Sequence, residues 1–272
     1  MKVNDAYNYL ARYLNSYESK IIICKIKHGQ CTHLNDFLKL KNSSLTDNQV
    51  VLLEQLLTKR RKDKVPLAYL LGEHNFYGYD LKIDERCLIP RPETEELVTI
   101  GLDKIQALTH PQCIDLGTGS GAIALAIAME IQDAQVIACD LSLEALMLAQ
   151  FNLKATQVQL CQSHWLQGFQ AHTFDLMLAN PPYISYTELH HMNNETSYEP
   201  SMALFSKNNG LYDLHQIISN SIQYLKPKGW LGVEHGFMQS KAVQLLFKNA
   251  GYQNIEALND MSGHPRMCFG QL

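Results

Sequence analysis

The seven residues Asp115-Leu116-Gly117-Thr118-Gly119-Ser120-Gly121 limit the possible folds more than any other part of the sequence. They follow a short apolar run, Cys113 to Leu116, and lead into an apolar helical stretch, Gly121 to Met129. Three alternating glycines between a strand and a helix allow a sharp turn and let a ligand lie against bare backbone. In an open α/β sheet this is the carboxyl end of the strands, where ligands sit. No Gly-Lys-Ser/Thr follows, which excludes a nucleotide-triphosphate P-loop.

The surrounding rhythm agrees. Gln135 to Cys139 reads as a strand ending in Asp140, and Leu143 to Leu153 as a helix with Leu143, Leu146 and Ala149 on one face. Phe174 to Ala179 is a strand, Leu211 to Leu225 a helix, and Trp230 to Glu234 a strand. Val243 to Ala250 is a helix, and Asn254 to Leu258 and Arg266 to Phe269 are late strands. Strands alternating with helices predict a mostly parallel sheet covered on both faces, with the last two strands as an antiparallel edge.

The first 70 residues read differently. Tyr7, Leu10 and Leu14 share one helix face. Thr46-Asp47-Asn48-Gln49 has the capping-box pattern and opens a helix with Val50, Leu53, Leu56 and Leu57 in one stripe. Lys59-Arg60-Arg61-Lys62 closes that helix, where cations suit the negative end of its dipole, and Pro66 interrupts it. These 70 residues carry 12 basic and 6 acidic side chains, the remainder 11 and 21. That split predicts two modules. Between them, Phe76-Tyr77-Gly78-Tyr79 with Leu81 and Ile83 reads as a hairpin, followed by the stiff Ile89-Pro90-Arg91-Pro92. The expected division is a helical domain over 1–72, a linking hairpin over 73–92 and a sheet domain over 93–272.

Composition excludes several classes. Of the 272 residues 46% are apolar, which argues against wholesale disorder. The longest apolar run, Ala122 to Met129, is far short of the roughly 20 residues of a membrane helix. The opening Met1-Lys2-Val3-Asn4-Asp5 lacks the apolar segment of a secretory signal. Seven cysteines with no Cys-x-x-Cys make neither a disulfide framework nor a zinc ribbon, and read as buried hydrophobes in a reducing cytosol. No metal site is expected. Cys24, Cys31 and His33 lack a fourth ligand, and His190 and His191 point apart in any regular structure.

Two further features carry chemistry. Gly117-x-Gly119-x-x-Ala122 with Asp140, 19 residues beyond Gly121, fits a ribose-bearing cofactor, whether NAD or S-adenosylmethionine. Asn180-Pro181-Pro182-Tyr183, just after a strand, decides between them. The prolines remove two N–H donors and leave acceptors, the Asn180 side-chain oxygen and the Pro181 carbonyl, beside the flat face of Tyr183. Acceptors without donors suit a planar NH₂ group whose nitrogen is to be methylated. A dehydrogenase has no use for them.

Taken together these motifs resemble a class I S-adenosylmethionine-dependent methyltransferase with a Rossmann-like sheet. More narrowly, the chain resembles the HemK/PrmC family, the peptide chain release factor glutamine methyltransferases. The likeness rests on Ile89-Pro90-Arg91-Pro92-Glu93-Thr94-Glu95, on Asp115 to Leu125 and on Asn180 to Ile184. Glu199-Pro200, Ala203-Leu204, Gly210-Leu211, Glu234-His235-Gly236 and Arg266 add to it. It implies a cytoplasmic enzyme that methylates the glutamine amide of the Gly-Gly-Gln motif in class I release factors. It also implies that the helical domain recognises the substrate. A monomer is expected, with neither membrane nor nucleic acid as partner.

By this resemblance Gly117, Thr118, Gly119, Ser120 and Gly121 line the cofactor, Asp140 holds its ribose and Trp165 packs near the adenine. Asn180 to Tyr183 grip the glutamine, with Asn180, Pro181 and Tyr183 the catalytic set and Asn180 also touching the cofactor. In Ser163-His164-Trp165 the family more commonly has Asp before Trp. Here His164 is a weaker acceptor, limited to one tautomer. The alternative is an amine methyltransferase acting on adenine in DNA or RNA, which uses the same Asn-Pro-Pro-Tyr grip on a flipped base.

Overall fold

Short, continuously apolar strands are stable only where both faces of a sheet are covered. The structure, a computed structural model, describes residues 1–29, 34–191 and 194–272. Cys31 and His33 lie outside them, as do the side chains of His190 and His191. The chain divides into two compact units. One holds Met1–His74, Ile83–Glu85 and the short stretch ending at Tyr198; the other holds Asn75–Lys82 and the rest from Arg86 onward.

The first unit is helical: Val3–Leu10, Ser16–His28, Leu34–Leu40, Asp47–Thr58 and Leu67–Leu71. Leu10, Ile22, Ile23, Phe37 and Leu53 form its core, and Leu14, one turn past the end of the first helix, still packs there. The capping box forms in full, with Gln49 N–H donating to Thr46 Oγ1 and Thr46 N–H to Gln49 Oε1. The basic run does more than close its helix. After Thr58 the chain widens into a π-turn, Lys59–Asp63, which carries Arg60 inward. Its guanidinium donates to Glu18 Oε1 at 2.6 and 2.9 Å, to the Val65 carbonyl, and pairs with Glu195 at 2.8 Å. A charge in a largely buried place needs this many acceptors.

Among the described residues eleven strands are numbered along the chain. β1 (Glu73–Phe76, which begins in the helical unit) and β2 (Tyr79–Lys82) make the hairpin. Its turn residues Tyr77 and Gly78 both have positive φ, 54° and 82°, the twist that a two-residue hairpin turn needs. β3 (Gln112–Leu116), β4 (Gln135–Asp140), β5 (Gln159–Gln162), β6 (Phe174–Ala179), β9 (Leu225–Glu234), β10 (Gln253–Asn259) and β11 (Pro265–Gln271) form one sheet in the order β10-β11-β9-β6-β3-β4-β5. β7 (Ile184–Ser185) and β8 (Phe205–Ser206) pair separately. Pairing is parallel from β9 through β5, while β10 and β11 are antiparallel, the expected edge. Residues 113 to 116 are entirely buried. Helices Pro92–Ile105, Ala122–Glu130, Leu143–Leu153, Tyr212–Ser221 and Ser240–Ala250 pack around this sheet.

Two expectations need correction. The helix read over Leu211 to Leu225 stops at Ser221, and the following strand starts at Leu225, not Trp230. Phe174 pairs with Leu225 and Leu176 with Trp230, so residues 226–229, Lys-Pro-Lys-Gly, bulge out of a single strand. β5 was not foreseen. Four residues on the sheet edge, with glutamines at both ends, carry almost no apolar signal.

Among the described residues no helix is long and apolar enough to cross a membrane, and no cluster of three metal-ligating side chains occurs. Thr46→Ala removes one arm of the capping box and is expected to cost about 1 kcal/mol in denaturant unfolding followed by circular dichroism. Thr46→Ser, which keeps the hydroxyl, is expected to cost little.

Candidate active site

Strand register brings the motifs together. Leu116 at the end of β3 lies level with Cys139 of β4 on one side and Ala179 of β6 on the other. The glycine run, Asp140 and Asn180 therefore emerge side by side at the carboxyl edge. The chain proceeds from β3 to β4 on one flank, while β6 fills the other, so this is a topological switch point.

The glycine loop is held by its own backbone. Gly117, Gly119 and Gly121 all have positive φ, between 55° and 87°. Gly117 N–H and Thr118 N–H both donate to the Cys139 carbonyl. Gly119 N–H donates to Asp140 Oδ2 and Ser142 N–H to Oδ1, at 2.8 and 2.9 Å. Each Asp140 oxygen thus accepts one backbone hydrogen and keeps lone-pair capacity. Burial raises the Asp140 pKa, opposed by these backbone donors.

A cavity of about 280 Å³ opens over the loop. Gly117, Thr118, Gly119, Ser120, Asp140, His164, Trp165, Asn180 and Pro182 line it. Gly121 does not line it. A Cβ there would meet Leu153 at 3.0 Å, so its bareness serves packing of the helix Leu143–Leu153. Pro181 and Tyr183 also lie outside the wall. A Cβ on Gly117 would meet the Trp165 ring at 3.1 Å, which places the indole against the loop. Trp165 Nε1 donates to Asp213 Oδ1, and Ser206 Oγ donates to Asp213 Oδ2, so Asp213 steadies the ring from another element.

On the Asn180 side the contacts come from distant segments. Asn180 Nδ2 donates to Thr94 Oγ1 at 3.0 Å. Thr94 Oγ1 donates to Glu234 Oε2 at 2.6 Å, and the Tyr183 hydroxyl donates to Glu234 Oε1 at 3.1 Å. Burial raises the pKa of Glu234 and of Tyr183. The two hydroxyl donors and the Arg266 charge oppose this at Glu234. Arg91 grips Glu199 with one nitrogen on both carboxylate oxygens, at 2.6 and 2.9 Å. Gln239 Nε2 donates to the Tyr183 and Asn209 carbonyls. Gly210 has φ 80°, and a Cβ there would come within 2.0 Å of the Tyr183 carbonyl oxygen, so only glycine fits.

Thr94, Glu234, Asp213 and Gln239 were not assigned roles from the sequence. Thr94 and Glu234 left a trace, as members of segments that carry the family resemblance; Asp213 and Gln239 left none.

The Methyltransferase small domain family matches residues 98–201. A release factor glutamine methyltransferase from Vibrio cholerae is 42% identical over 223 residues, 80% of this chain and 77% of its own. Another from Salmonella typhimurium is 40% identical over 230 residues, 84% and 82%. The chain belongs to the release factor glutamine methyltransferase family. Among solved structures, a methyltransferase from Pyrococcus furiosus has a TM-score of 0.54 at 14% identity, over 83% of this chain and 98% of that one. The hMettl16 catalytic domain has 0.58 at 13%, over 98% and 90%. At such identities these two establish the fold.

The anchor of the glycine loop is Asp115. Its Oδ2 accepts from Thr118 Oγ1 at 2.5 Å and from Ala124 N–H at 3.1 Å, while Oδ1 has no partner among the described residues. Burial pushes this carboxyl up from 3.8 to about 7, against those donors, with the Asp140 charge adding to the rise. The folded state holds the proton more tightly than the unfolded chain. Asp115 therefore favours folding less as pH rises from about 4 to about 7. Asp115→Asn carries no such proton, so its stability relative to the parent is expected to rise over that interval. Thermal unfolding across pH checks this; parallel curves would show that Asp115 does not titrate there.

Proposed function

We propose that this chain methylates the side-chain amide nitrogen of the glutamine in the Gly-Gly-Gln motif of class I release factors, drawing the methyl group from S-adenosylmethionine. It acts in the cytoplasm as a monomer, and its helical unit recognises the protein substrate. The observation that carries the reading is Asn180. It stands in the wall of the cavity over the glycine loop, with its amide nitrogen already engaged by Thr94.

The cavity suits the cofactor in its chemistry. Two bare glycine backbones, a carboxylate with spare lone pairs and an indole against the loop match a ribose-bearing adenine compound. Its volume is near the lower end of ligand pockets, about 300–1,000 Å³. Asp140 holds the ribose hydroxyls; Gly117, Thr118, Gly119 and Ser120 border the cofactor, and Trp165 lies beside the adenine. When bound, S-adenosylmethionine supplies a methyl group on a sulfonium, open to displacement by nitrogen.

A glutamine amide nitrogen is a poor nucleophile, because its lone pair is shared with the carbonyl. Asn180 Oδ1, in the cavity wall, and the Pro181 carbonyl, outside it, accept its two hydrogens and aim the lone pair. The same oxygens favour the positive charge that grows on nitrogen as the new bond forms. The nitrogen displaces a neutral thioether from the methyl group, and one amide proton, acidic only once the N–C bond forms, leaves to water; positioning therefore supplies most of the rate, for which orientation can account for roughly 7–11 kcal/mol. The adenine-directed alternative is set aside. The relatives cited above are named for a release factor glutamine, and residues 71–272 carry 11 basic against 21 acidic side chains, a poor surface for phosphates.

Asn180→Ala is expected to lower the methylation rate on the order of 10²–10³-fold. The assay is mass spectrometry of the Gly-Gly-Gln peptide after incubating an unmethylated release factor with enzyme and S-adenosylmethionine. Near-normal turnover would remove Asn180 from the mechanism. Asp140→Ala is expected to weaken S-adenosylmethionine binding in calorimetry; an unchanged affinity would count against its ribose role.

A further inference from the structure

The segment Pro92-Glu93-Thr94-Glu95 opens a helix, and acidic residues there suit the dipole. That explains its charges but not its threonine. Thr94 is 3% exposed and borders the cavity, yet its hydroxyl points back to the protein. Glu234, at the carboxyl end of β9, is 1% exposed and receives two hydroxyl hydrogens, from Thr94 and Tyr183.

The direction of these hydrogen bonds follows from chemistry. In the structure both Glu234 oxygens act as acceptors, one for each hydroxyl. Thr94 has a single hydrogen, and Glu234 takes it at 2.6 Å. The Thr94 oxygen can then only accept from Asn180, so the side of the asparagine amide facing it must be the NH₂ group. The carbonyl oxygen is turned to the other side. It is the hydrogen-bond network that decides which way round an asparagine amide sits.

Building on the role of Asn180 proposed above, we infer that Glu234 and Thr94 are positioning residues, a one-way hydrogen-bond chain that holds the Asn180 amide with its oxygen toward the substrate nitrogen. Neither touches the reacting atoms. Tyr183 donates to the other oxygen of Glu234, which ties the last residue of Asn180-Pro181-Pro182-Tyr183 to the same carboxylate. One buried charge thus orients both ends of the motif. If the amide were reversed, an NH₂ group would face the substrate NH₂, and two donors would meet.

The test uses the full chain with an unmethylated release factor, measuring kcat, KM and S-adenosylmethionine affinity. Thr94→Val keeps the shape and removes the hydroxyl, and is expected to lower kcat about tenfold to a hundredfold, the scale of a misplaced reacting group. Cofactor affinity should stay close to the parent's; the melting temperature is expected to fall, because Glu234 Oε2 loses its donor, and kcat is compared well below it. Thr94→Ser restores the hydroxyl and is expected to recover kcat to within about threefold. Glu234→Gln can donate as well as accept, so it no longer imposes a direction, and kcat is expected to fall about tenfold.

The double variant Thr94→Val with Asn180→Ala is expected to be no slower than Asn180→Ala alone, because Thr94 acts only through that side chain. Losses that multiply, a Thr94→Val enzyme with parental kcat, or a serine variant as slow as the valine one would each overturn the chain while leaving Asn180 in place. Parental turnover by Asn180→Ala would instead overturn the underlying reading of the site, and the chain with it.

Discussion

The register of three parallel strands is the constraint on which the site depends. Leu116 level with Cys139 and Ala179 means that β3, β4 and β6 end together. A loop of glycines, a carboxylate and an asparagine then leave the sheet within reach of one ligand. The register is held because residues 113 to 116 are buried on both faces, and a slip of one residue would turn every side chain to the opposite layer. The cost of covering both faces is met by the five flanking helices. The glycine loop also closes onto the strand beside it, through the Cys139 carbonyl.

Much of this was legible because it is local. The strand–glycine–helix run, the capping box at Thr46 and the hairpin bend at Gly78 each lie within a few residues, so spacing alone identifies them. The antiparallel edge followed from two successive strands with no helix between them. What could not be read was contact between segments far apart. Asn180 meets Thr94 across 86 positions, and Thr94 meets Glu234 across 140. No periodicity links such residues. Arg60 was hidden for another reason. A run of four basic residues at a helix end reads as closing the helix against its dipole, and only the π-turn after Thr58 carries one of them to Glu18 and Glu195. The ten-residue strand β9 was concealed by Pro227 and Gly229, which mark a turn in sequence but form a bulge in the sheet.

The site also concentrates buried charge. Asp115 and Glu234 both lie at the carboxyl ends of central strands, both are fully enclosed, and both have raised pKa values through burial. They are treated differently by their neighbours. Both Glu234 oxygens receive a hydroxyl hydrogen, whereas Asp115 leaves Oδ1 without a partner among the described residues. A buried carboxylate with matched donors is a fixed point from which other groups can be oriented. One with an orphan oxygen is costly and holds a proton more readily.

The proline after Asn180 has a consequence for how long the protein lasts. Asparagine side chains decay spontaneously to aspartate when the backbone nitrogen of the next residue gives up its hydrogen and closes on the side-chain carbonyl. Pro181 has no hydrogen on that nitrogen. The amide that the site orients is therefore shielded from the usual route of chemical ageing. A carboxylate in its place would have no hydrogen to offer Thr94, whose own is committed to Glu234. The residue that shapes the turn also keeps the side chain beside it from wearing out.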